Sequence, residues 1–262
     1  RTVSDCMRLA DEDYTIRTSL VEMRSLLGDQ EVFQQLQTQL REKLFKDTAG
    51  EFTEAKLAER EARHLKQGGQ RYMVEPNVKE GKGGLRDLQS LYWIEKYING
   101  VFHAEQLVDA GVFSAEEFAT FEAAQNFLWA VRCHLHLIAN RAMDQLTFEL
   151  QVEVALAMGY RDRGGRRAVE HFMQAYFRHA TNVGELTRIF LTALEAAQVK
   201  KEPVLLRVLR RKPKLKPGFC VLQNRLAIVD PEAFLKDKMN LLRVFEEAMR
   251  TGLLIHPDAM RL

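Results

Sequence analysis

The chain has 262 residues, of which 46% are hydrophobic and 28% charged, and its formal net charge is +2. This composition is typical of a globular protein with one large domain or two small ones, and it excludes an extended disordered chain. So small a net charge gives no reason to expect nucleic acid as a partner. The three cysteines form no CxxC pair, which favours reduced thiols over a disulfide or zinc framework.

Hydropathy gives no reason to expect a membrane protein. No apolar run approaches the roughly 18 residues that a membrane span needs, so we expect a cytoplasmic protein without membrane contact. The first residues, Arg1-Thr2-Val3, include neither a methionine nor the core of a signal peptide. This start predicts an internal fragment of a longer protein.

Residues 1–46 are predicted to be helical, with one helix running to Gly28 and a second from about Gln30 to Phe45. The apolar residues that indicate the end of the first helix are Leu20, Met23, Leu26 and Leu27. Asp11 and Asp13 have the spacing of a metal pair in nucleotidyl transferases. Such a site also needs a Gly-Gly or Gly-Ser turn shortly upstream, and no glycine precedes Asp11. We therefore interpret this stretch as a solvated helix face and expect no metal in the chain.

A helix over Glu51–Lys66 and a short extended segment over Arg71–Val74 lead to a glycine-rich segment, Glu75–Asp87. Its glycines can take positive φ and fold the chain into a concavity with outward amides; they are Gly81, Gly83 and Gly84. The free N–H groups of the following helix would add to these amides. Cations lie beside them at Lys79, Lys82 and Arg86. The segment therefore predicts contact with a phosphate group.

The alternative is a purely structural loop, because glycines before a helix often serve only a sharp turn. The segment is neither a Walker loop nor a dinucleotide-binding GxGxxG motif. In this interpretation Arg86 pairs with a nearby carboxylate such as Glu75.

Two further helices are predicted from local signals. The first runs from Leu85 to Ile98, and Asp87 in its first turn suits the positive end of the helix dipole. The second opens with a capping box at Ser114 and Glu117 and continues through Ile138. Within it His134 and His136 are two residues apart and point about 200° away from each other, so they are unsuited to one metal ion.

The remaining elements predict a mainly α-helical fold with one small β-hairpin near the C-terminus. Helices over Thr147–Met158 and Ala168–Gln198 are followed by a basic, proline-containing linker at Lys200–Lys216. The hairpin has strands at Phe219–Gln223 and Leu226–Val229, with Asn224-Arg225 as its turn. A last helix starts at Asp230-Pro231-Glu232 and continues toward Gly252 through Leu235, Met239, Leu242, Phe245 and Met249.

Two runs carry a resemblance to a known family. Residues 75–89 read Glu-Pro-Asn-x-Lys-x-Gly-x-Gly-Gly-Leu-Arg-Asp-x-Gln, and residues 141–151 read Arg-x-x-Asp-x-Leu-x-Phe-x-x-Gln. Both resemble the central helical region of the bacterial PII uridylyltransferase/uridylyl-removing enzymes. The resemblance implies structural roles for Glu75, Asn77, Asp87 and Gln151. It also implies that Arg141 and Asp144 brace one helix end against the next.

The same resemblance implies the domains and the function. Residues 1–50 would be the tail of a nucleotidyltransferase domain, 51–199 the helical domain, and 200–262 the linker, hairpin and helix that lead to an HD hydrolase domain. The intact enzyme would use Mg²⁺ and UTP to uridylylate the PII nitrogen signal protein, and would remove UMP in response to glutamine. Neither its Asp-x-Asp metal pair nor its His-Asp dyad is found in the chain.

Two alternatives stay open. The chain is either a non-catalytic helical module that binds other proteins, or a fragment of a glutamine synthetase adenylyltransferase. The second is disfavoured, because those enzymes resemble the central run more loosely and end it in Gly-Gly-Ile-Arg-Glu.

Overall fold

The computed structural model of the chain describes residues 2–100, 105–199, 214–222 and 225–262. As the sequence predicts, the protein is mainly α-helical with one antiparallel hairpin near its C-terminus. The first helices are α1 (Val3–Glu12), α2 (Tyr14–Val21), α3 (Gln30–Gln39), α4 (Ala49–Lys66), α5 (Leu85–Asn99) and α6 (Gln106–Asp109). The later elements are α7 (Ala115–Ala139), α8 (Phe148–Ala157), α9 (Ala168–Val199), β1 (Phe219–Leu222), β2 (Arg225–Ile228), α10 (Pro231–Leu235), α11 (Asn240–Thr251) and α12 (Pro257–Met260). None of the helices in this part of the chain is both long and apolar enough to cross a membrane.

Backbone contacts divide the chain into two compact units, residues 1–186 and Thr187–Leu262. The predicted division into residues 1–50, 51–199 and 200–262 remains a prediction. Most of the segment that we interpret as a linker, residues 200–213, lies outside the described residues.

The N-terminal helices are more broken than the sequence predicts. Asp13 ends the first helix, because its carboxylate accepts from the amides of Thr15 at 2.6 Å and Ile16 at 3.4 Å and so starts α2. The predicted continuation to Gly28 is wrong: α2 ends at Val21, and the side chains of Leu26 and Leu27 are exposed. The second helix is confirmed as α3, which a π-helical turn at Leu40–Phe45 extends.

The core of the first unit lies between α5, α7 and the first half of α9. The buried side chains of α5 include Leu85, Leu88, Leu91 and Ile94. Those of α7 are Phe121, Ala124, Leu128, Val131 and Leu135, which recur every three or four residues and so share one face. α9 contributes Phe172, Tyr176, Ala180 and Val183.

An aromatic stack joins α4 to α5 on the side of the N-terminal helices. Phe52 of α4 and Tyr97 of α5 lie nearly parallel, with ring centroids 3.9 Å apart. Phe45, at the end of the π-helical turn, packs against the same tyrosine at 4.3 Å. These rings fix α4 along α5, and with it the basic residues that α4 carries farther along.

The second unit has a small core of its own, in which Leu226, Phe234 and Val244 are buried. The predicted hairpin is confirmed, with β1 and β2 antiparallel and Phe219 opposite Ile228. Arg225 was predicted in the turn but belongs to β2, where its guanidinium donates to the carbonyl of Ile255 at 3.2 Å.

The prediction of one helix from Asp230 to Gly252 is wrong. α10 ends at Leu235, and the Asp237 carboxylate accepts from the amide of Met239 at 3.0 Å before α11 begins at Asn240. The apolar residues predicted along this helix are all exposed, namely Leu235, Met239, Leu242, Phe245 and Met249.

The capping box of α7 gives a first test of the fold. The Ser114 amide donates to Glu117 Oε2 at 2.7 Å, and the Glu117 amide donates to Ser114 Oγ at 3.2 Å. We expect Ser114→Ala to lower the free energy of unfolding by about 1 kcal/mol, because the first turn of α7 loses an acceptor. Chemical denaturation measures this. Asn126→Ala, an exposed change within α7, is the matched control and should cost nothing; an equal loss in both variants would contradict the capping role.

Candidate functional site

The two runs that the sequence singled out lie against each other. Asn77 and Gln145 form an antiparallel bridge. The amide of Val78 donates to the carbonyl of Asp144 at 2.8 Å, and the amide of Leu146 donates to that of Pro76 at 2.9 Å. The segment before α5 and the segment after α7 are therefore joined by their backbones.

Side chains extend this junction in both directions. Gln151 donates from Nε2 to the carbonyls of Val74 at 2.8 Å and Leu146 at 3.0 Å. Glu75 accepts from the amide of Phe148 at 2.8 Å, which satisfies a free N–H at the start of α8. Through these contacts Glu75 and Gln151 join the segment before α5 to the start of α8. No regular strand forms at Arg71–Val74 within this described part of the chain, and the extended segment predicted there remains a prediction.

The glycines serve close packing more than positive φ. Gly83 alone among the three has a positive φ, of 85°; the expectation that Gly81 and Gly84 share it is wrong. A Cβ on Gly81 would lie 2.5 Å from the carbonyl oxygen of Asn77, and one on Gly84 would lie 2.8 Å from that of Val78. Such distances are too short for a side chain, so each position requires glycine because the backbone crosses it.

The amides of this segment point into the protein. Asn77 Oδ1 accepts from the amides of Lys79 at 3.1 Å and Glu80 at 2.7 Å. Across residues 78–87, all of which are described, every amide except that of Lys82 donates a hydrogen bond within the protein. The idea of a concavity lined by outward amides is therefore wrong, and any contact with a phosphate falls to the side chains.

Asp87 is the centre of a buried charge cluster. Its carboxylate is almost fully buried and accepts from Arg63 Nη2 at 2.5 Å, from His64 Nε2 at 2.8 Å and from the Gly83 amide at 2.9 Å. Arg60 Nε lies 3.4 Å away. We call Arg60, Arg63, His64 and Asp87 the Asp87 cluster. The sequence predicts only the interaction of Asp87 with the helix dipole and not these partners on α4.

The partners of Asp87 leave a signal in the sequence. Arg60, Arg63 and His64 recur at helical spacing on α4, where the apolar anchors are few. Three basic residues on one face of a helix indicate a buried or shared anion. The sequence alone does not identify that anion, because Asp87 is 24 residues from Arg63 in the chain and only the tertiary fold brings the two together.

The cluster carries more positive than negative charge. Burial by itself raises the pKa of Asp87, but the hydrogen bond from His64 and the charge of Arg60 outweigh it, so the pKa lies below its ordinary value of 3.8. Arg63 Nε and Nη1 are buried and have no hydrogen-bond partner among the described residues. The ionised form of Asp87 is thus the stable one.

Lys79 and Arg86 share one carboxylate at the edge of this cluster. Lys79 Nζ and Arg86 Nη2 each lie 3.4 Å from Glu80 Oε1, and all three side chains are about a quarter exposed. The Arg86 guanidinium also lies over the ring of Trp93, 5.1 Å from its centroid. The alternative predicted that Arg86 pairs with a carboxylate such as Glu75. Arg86 does pair with a carboxylate, but it is that of Glu80.

Asp144 braces α7, but Arg141 does not assist. Asp144 Oδ1 accepts from Arg132 Nε at 2.7 Å and lies 3.1 Å from His136 Nε2. Burial raises its pKa, and the hydrogen bonds from Arg132 and His136 more than offset this, so the pKa is lowered. Arg141 is exposed and makes no hydrogen bond or ion pair with any described residue, so of the two residues expected to brace one helix end against the next only Asp144 makes such contacts.

The acidic residues of α1 do not fit Mg²⁺. The Asp11 carboxylate lies 3.4 Å from Arg17 Nη2, and that of Asp13 caps α2. Nowhere in the described ranges do three or more His, Cys, Asp or Glu side chains come together as metal ligands. His136 is turned to Asp144 and does not share a site with His134.

Comparison with known proteins gives one family. Residues 51–191 match the family model of GlnD PII-uridylyltransferase. Over its whole length the chain is 63% identical to a bifunctional uridylyltransferase/uridylyl-removing enzyme of Ruegeria pomeroyi and 61% identical to one of Cereibacter sphaeroides, covering 29% and 28% of those proteins. An enzyme of the same name from Phenylobacterium zucineum is 48% identical over 99% of the chain. The chain thus spans less than a third of the curated relatives it matches, and no solved structure matches it.

The Asp87 cluster gives the second prediction. We expect Asp87→Asn to lower the free energy of unfolding by about 3 kcal/mol, because it removes the buried negative charge that accepts from Arg63 Nη2 and His64 Nε2. Chemical denaturation at neutral pH measures this. Asp109→Asn, an exposed change at the end of α6, is the control and should stay within about 0.5 kcal/mol of the unmodified protein. A similar value for Asp87→Asn would show that the cluster does not hold the fold.

The pH dependence separates charge from packing. Because the pKa of Asp87 is lowered in the folded state, its ionised form stabilises the fold fully above the ordinary value of 3.8. This contribution is lost as the pH falls from there through the lowered pKa. The difference between the unmodified protein and Asp87→Asn should therefore be constant above about pH 5 and shrink below 3.8. A difference that stays constant to about pH 2 would contradict a charge effect.

Proposed function

The chain belongs to the GlnD PII-uridylyltransferase family, and from this we propose that it is the helical part of an enzyme that transfers UMP from UTP to the PII signal protein. The same enzyme would remove UMP again, with glutamine as the effector, in the cytoplasm and with Mg²⁺ held outside this chain. The relatives' name, bifunctional uridylyltransferase/uridylyl-removing enzyme, supports both activities. The same name favours this proposal over the two alternatives, a fragment of a glutamine synthetase adenylyltransferase and a non-catalytic helical module that binds other proteins.

The role that we propose for this chain rests on one observation: the glycine segment that bears Lys79 and Arg86 is held in place by the rest of the protein. The Asp87 cluster fixes the glycine segment from inside, and backbone hydrogen bonds at Asn77 and Gln145 fix it from the side. Both cations stay partly exposed. We infer that they contact the triphosphate of UTP, or a carboxylate that holds the nucleotidyltransferase domain closed over it.

The magnitude of this contact follows from charge and shielding. Lys79, Arg86 and Arg63 share the carboxylate of Glu80, so Glu80 does not neutralise the positive charge of Lys79 and Arg86. A charge-assisted hydrogen bond to a partly shielded oxyanion contributes about 1–3 kcal/mol. The planar guanidinium of Arg86 can donate two parallel hydrogen bonds to a phosphate, whereas the ammonium of Lys79 acts as a point charge.

We expect the 262-residue chain alone to have neither uridylyltransferase nor uridylyl-removing activity. Its sequence contains no glycine turn with an Asp-x-Asp pair and no His-Asp dyad, and its acidic residues at Asp11 and Asp13 are engaged by protein groups. The measurement is Mg²⁺-dependent incorporation of labelled UMP into PII, with the intact enzyme as positive control. Detectable transfer by the purified chain would refute this division of roles.

The contact with UTP is tested by Lys79→Ala and Arg86→Lys in the intact enzyme. We expect the KM for UTP to rise about tenfold in each variant, which corresponds to about 1.4 kcal/mol, while the melting temperature stays unchanged. Steady-state kinetics and thermal unfolding measure the two quantities. Lys43→Ala, an exposed lysine in the π-helical turn, is the matched control and should leave both unchanged. Normal use of UTP together with a lowered melting temperature would reject the phosphate role in favour of a structural loop.

A further inference from the structure

A polar cavity lies between the end of α4 and the glycine segment. Its volume is about 270 Å³, and its walls include Lys66, Arg71, Lys82, Glu75 and Tyr176. Pockets for drug-sized ligands start at roughly 300 Å³, so this one suits a smaller molecule or one end of a larger one. Lys79 and Arg86 are not part of its wall. The cavity is therefore separate from the surface to which we assign the contact with UTP.

The charge of the wall is positive. Lys66, Arg71 and Lys82 face one acidic side chain, Glu75, whose carboxylate already accepts the amide of Phe148. Neither Lys66 nor Lys82 has a hydrogen bond or an ion pair with any residue that the structure describes. Two of the three cations thus carry charge that no nearby carboxylate balances.

One backbone donor without a protein acceptor lies beside the cavity. Across residues 78–87 only the amide of Lys82 makes no hydrogen bond within the described protein. Arg71 Nε also has no acceptor among the described residues, but it is buried against Gly184, which does not line the cavity. The donor that remains for a bound molecule is the amide of Lys82, a residue of the wall. An oxyanion supplies acceptor atoms and negative charge together.

Two other features of the wall agree with this. Burial raises the pKa of Tyr176, so its hydroxyl keeps its proton and remains a donor. The C-terminal carbonyls of α4, which would repel an anion, are partly covered. The amide of Gly68 donates to the carbonyl of Leu65 at 3.2 Å, and that of Gly69 to the carbonyl of His64 at 2.8 Å.

We propose that this cavity binds a small ligand through an oxyanion group, a phosphate or a carboxylate, held by Lys82, Arg71 and Lys66. Lys82 supplies its amide and its ammonium, and Lys66 and Arg71 supply further positive charge at the wall. The ligand would tie the end of α4 to the glycine segment. Its binding requires neither PII nor any transfer of UMP.

The test is calorimetric titration of the 262-residue chain with three probes at constant ionic strength: inorganic phosphate, succinate and UTP. We expect one saturable site per chain for at least one probe. Lys82→Met and Arg71→Met should each weaken that binding at least tenfold. Lys43→Met removes a lysine from an exposed position outside the cavity and should leave the affinity unchanged.

Each outcome decides the proposal. Tighter binding of phosphate than of succinate supports a phosphoryl ligand, the reverse supports a carboxylate, and tight binding of UTP that Lys82→Met abolishes supports a nucleotide as the source. Absence of saturation by all three probes, or an equal loss in Lys43→Met, overturns the site. Arg71 packs against Gly184, so a folding defect in Arg71→Met is checked by circular dichroism. Lys82→Met, which has no such contact in the described chain, decides in that case.

Discussion

The carboxylate of Asp87 is the interaction on which the first unit depends. It draws two arginines and a histidine of α4 onto the first turn of α5, and it also accepts the amide of Gly83. A buried carboxylate is tolerated only where charge and hydrogen bonds compensate its lost hydration. Because the compensating groups come from another helix and from the loop, the position of the loop is fixed by the same contacts that satisfy the charge.

A second constraint acts from the opposite side of the segment. The backbone around Asn77 pairs with that around Gln145, so the two ends of the chain segment that contains α5, α6 and α7 are held together. Close backbone crossings leave no room for side chains, which explains Gly81 and Gly84 although their φ values are ordinary. Together with the Asp87 cluster this gives Lys79 and Arg86 a rigid base, and rigid placement lowers the entropic cost of any contact that they make.

The sequence predicted best those features whose partners are close in the chain. The capping box at Ser114 and Glu117 needs only a spacing of three residues, and the hairpin needs two short apolar runs. It failed where a partner is distant or where two local signals compete. Asp144 pairs with Arg132 and His136 and not with Arg141, and a side-chain cap at Asp13 interrupts an otherwise helical pattern. Spacing identifies which residues matter, but the choice among several possible partners is made by tertiary packing.

Most amides of the glycine segment already donate hydrogen bonds within the protein, and this limits which ligands the segment can recognise. A nest of amides would select a phosphate by geometry, as in a P-loop, whereas here the amides stabilise the loop and side chains carry the charge. Cations select for charge and much less for the identity of a nucleotide. In the function that we propose, the chain would contribute affinity and position, and selection of uridine over other bases would come from groups that contact the base itself. Arg86 differs from a lysine in this respect, because its planar guanidinium can donate two parallel hydrogen bonds and so fixes the direction of the contact as well as its charge.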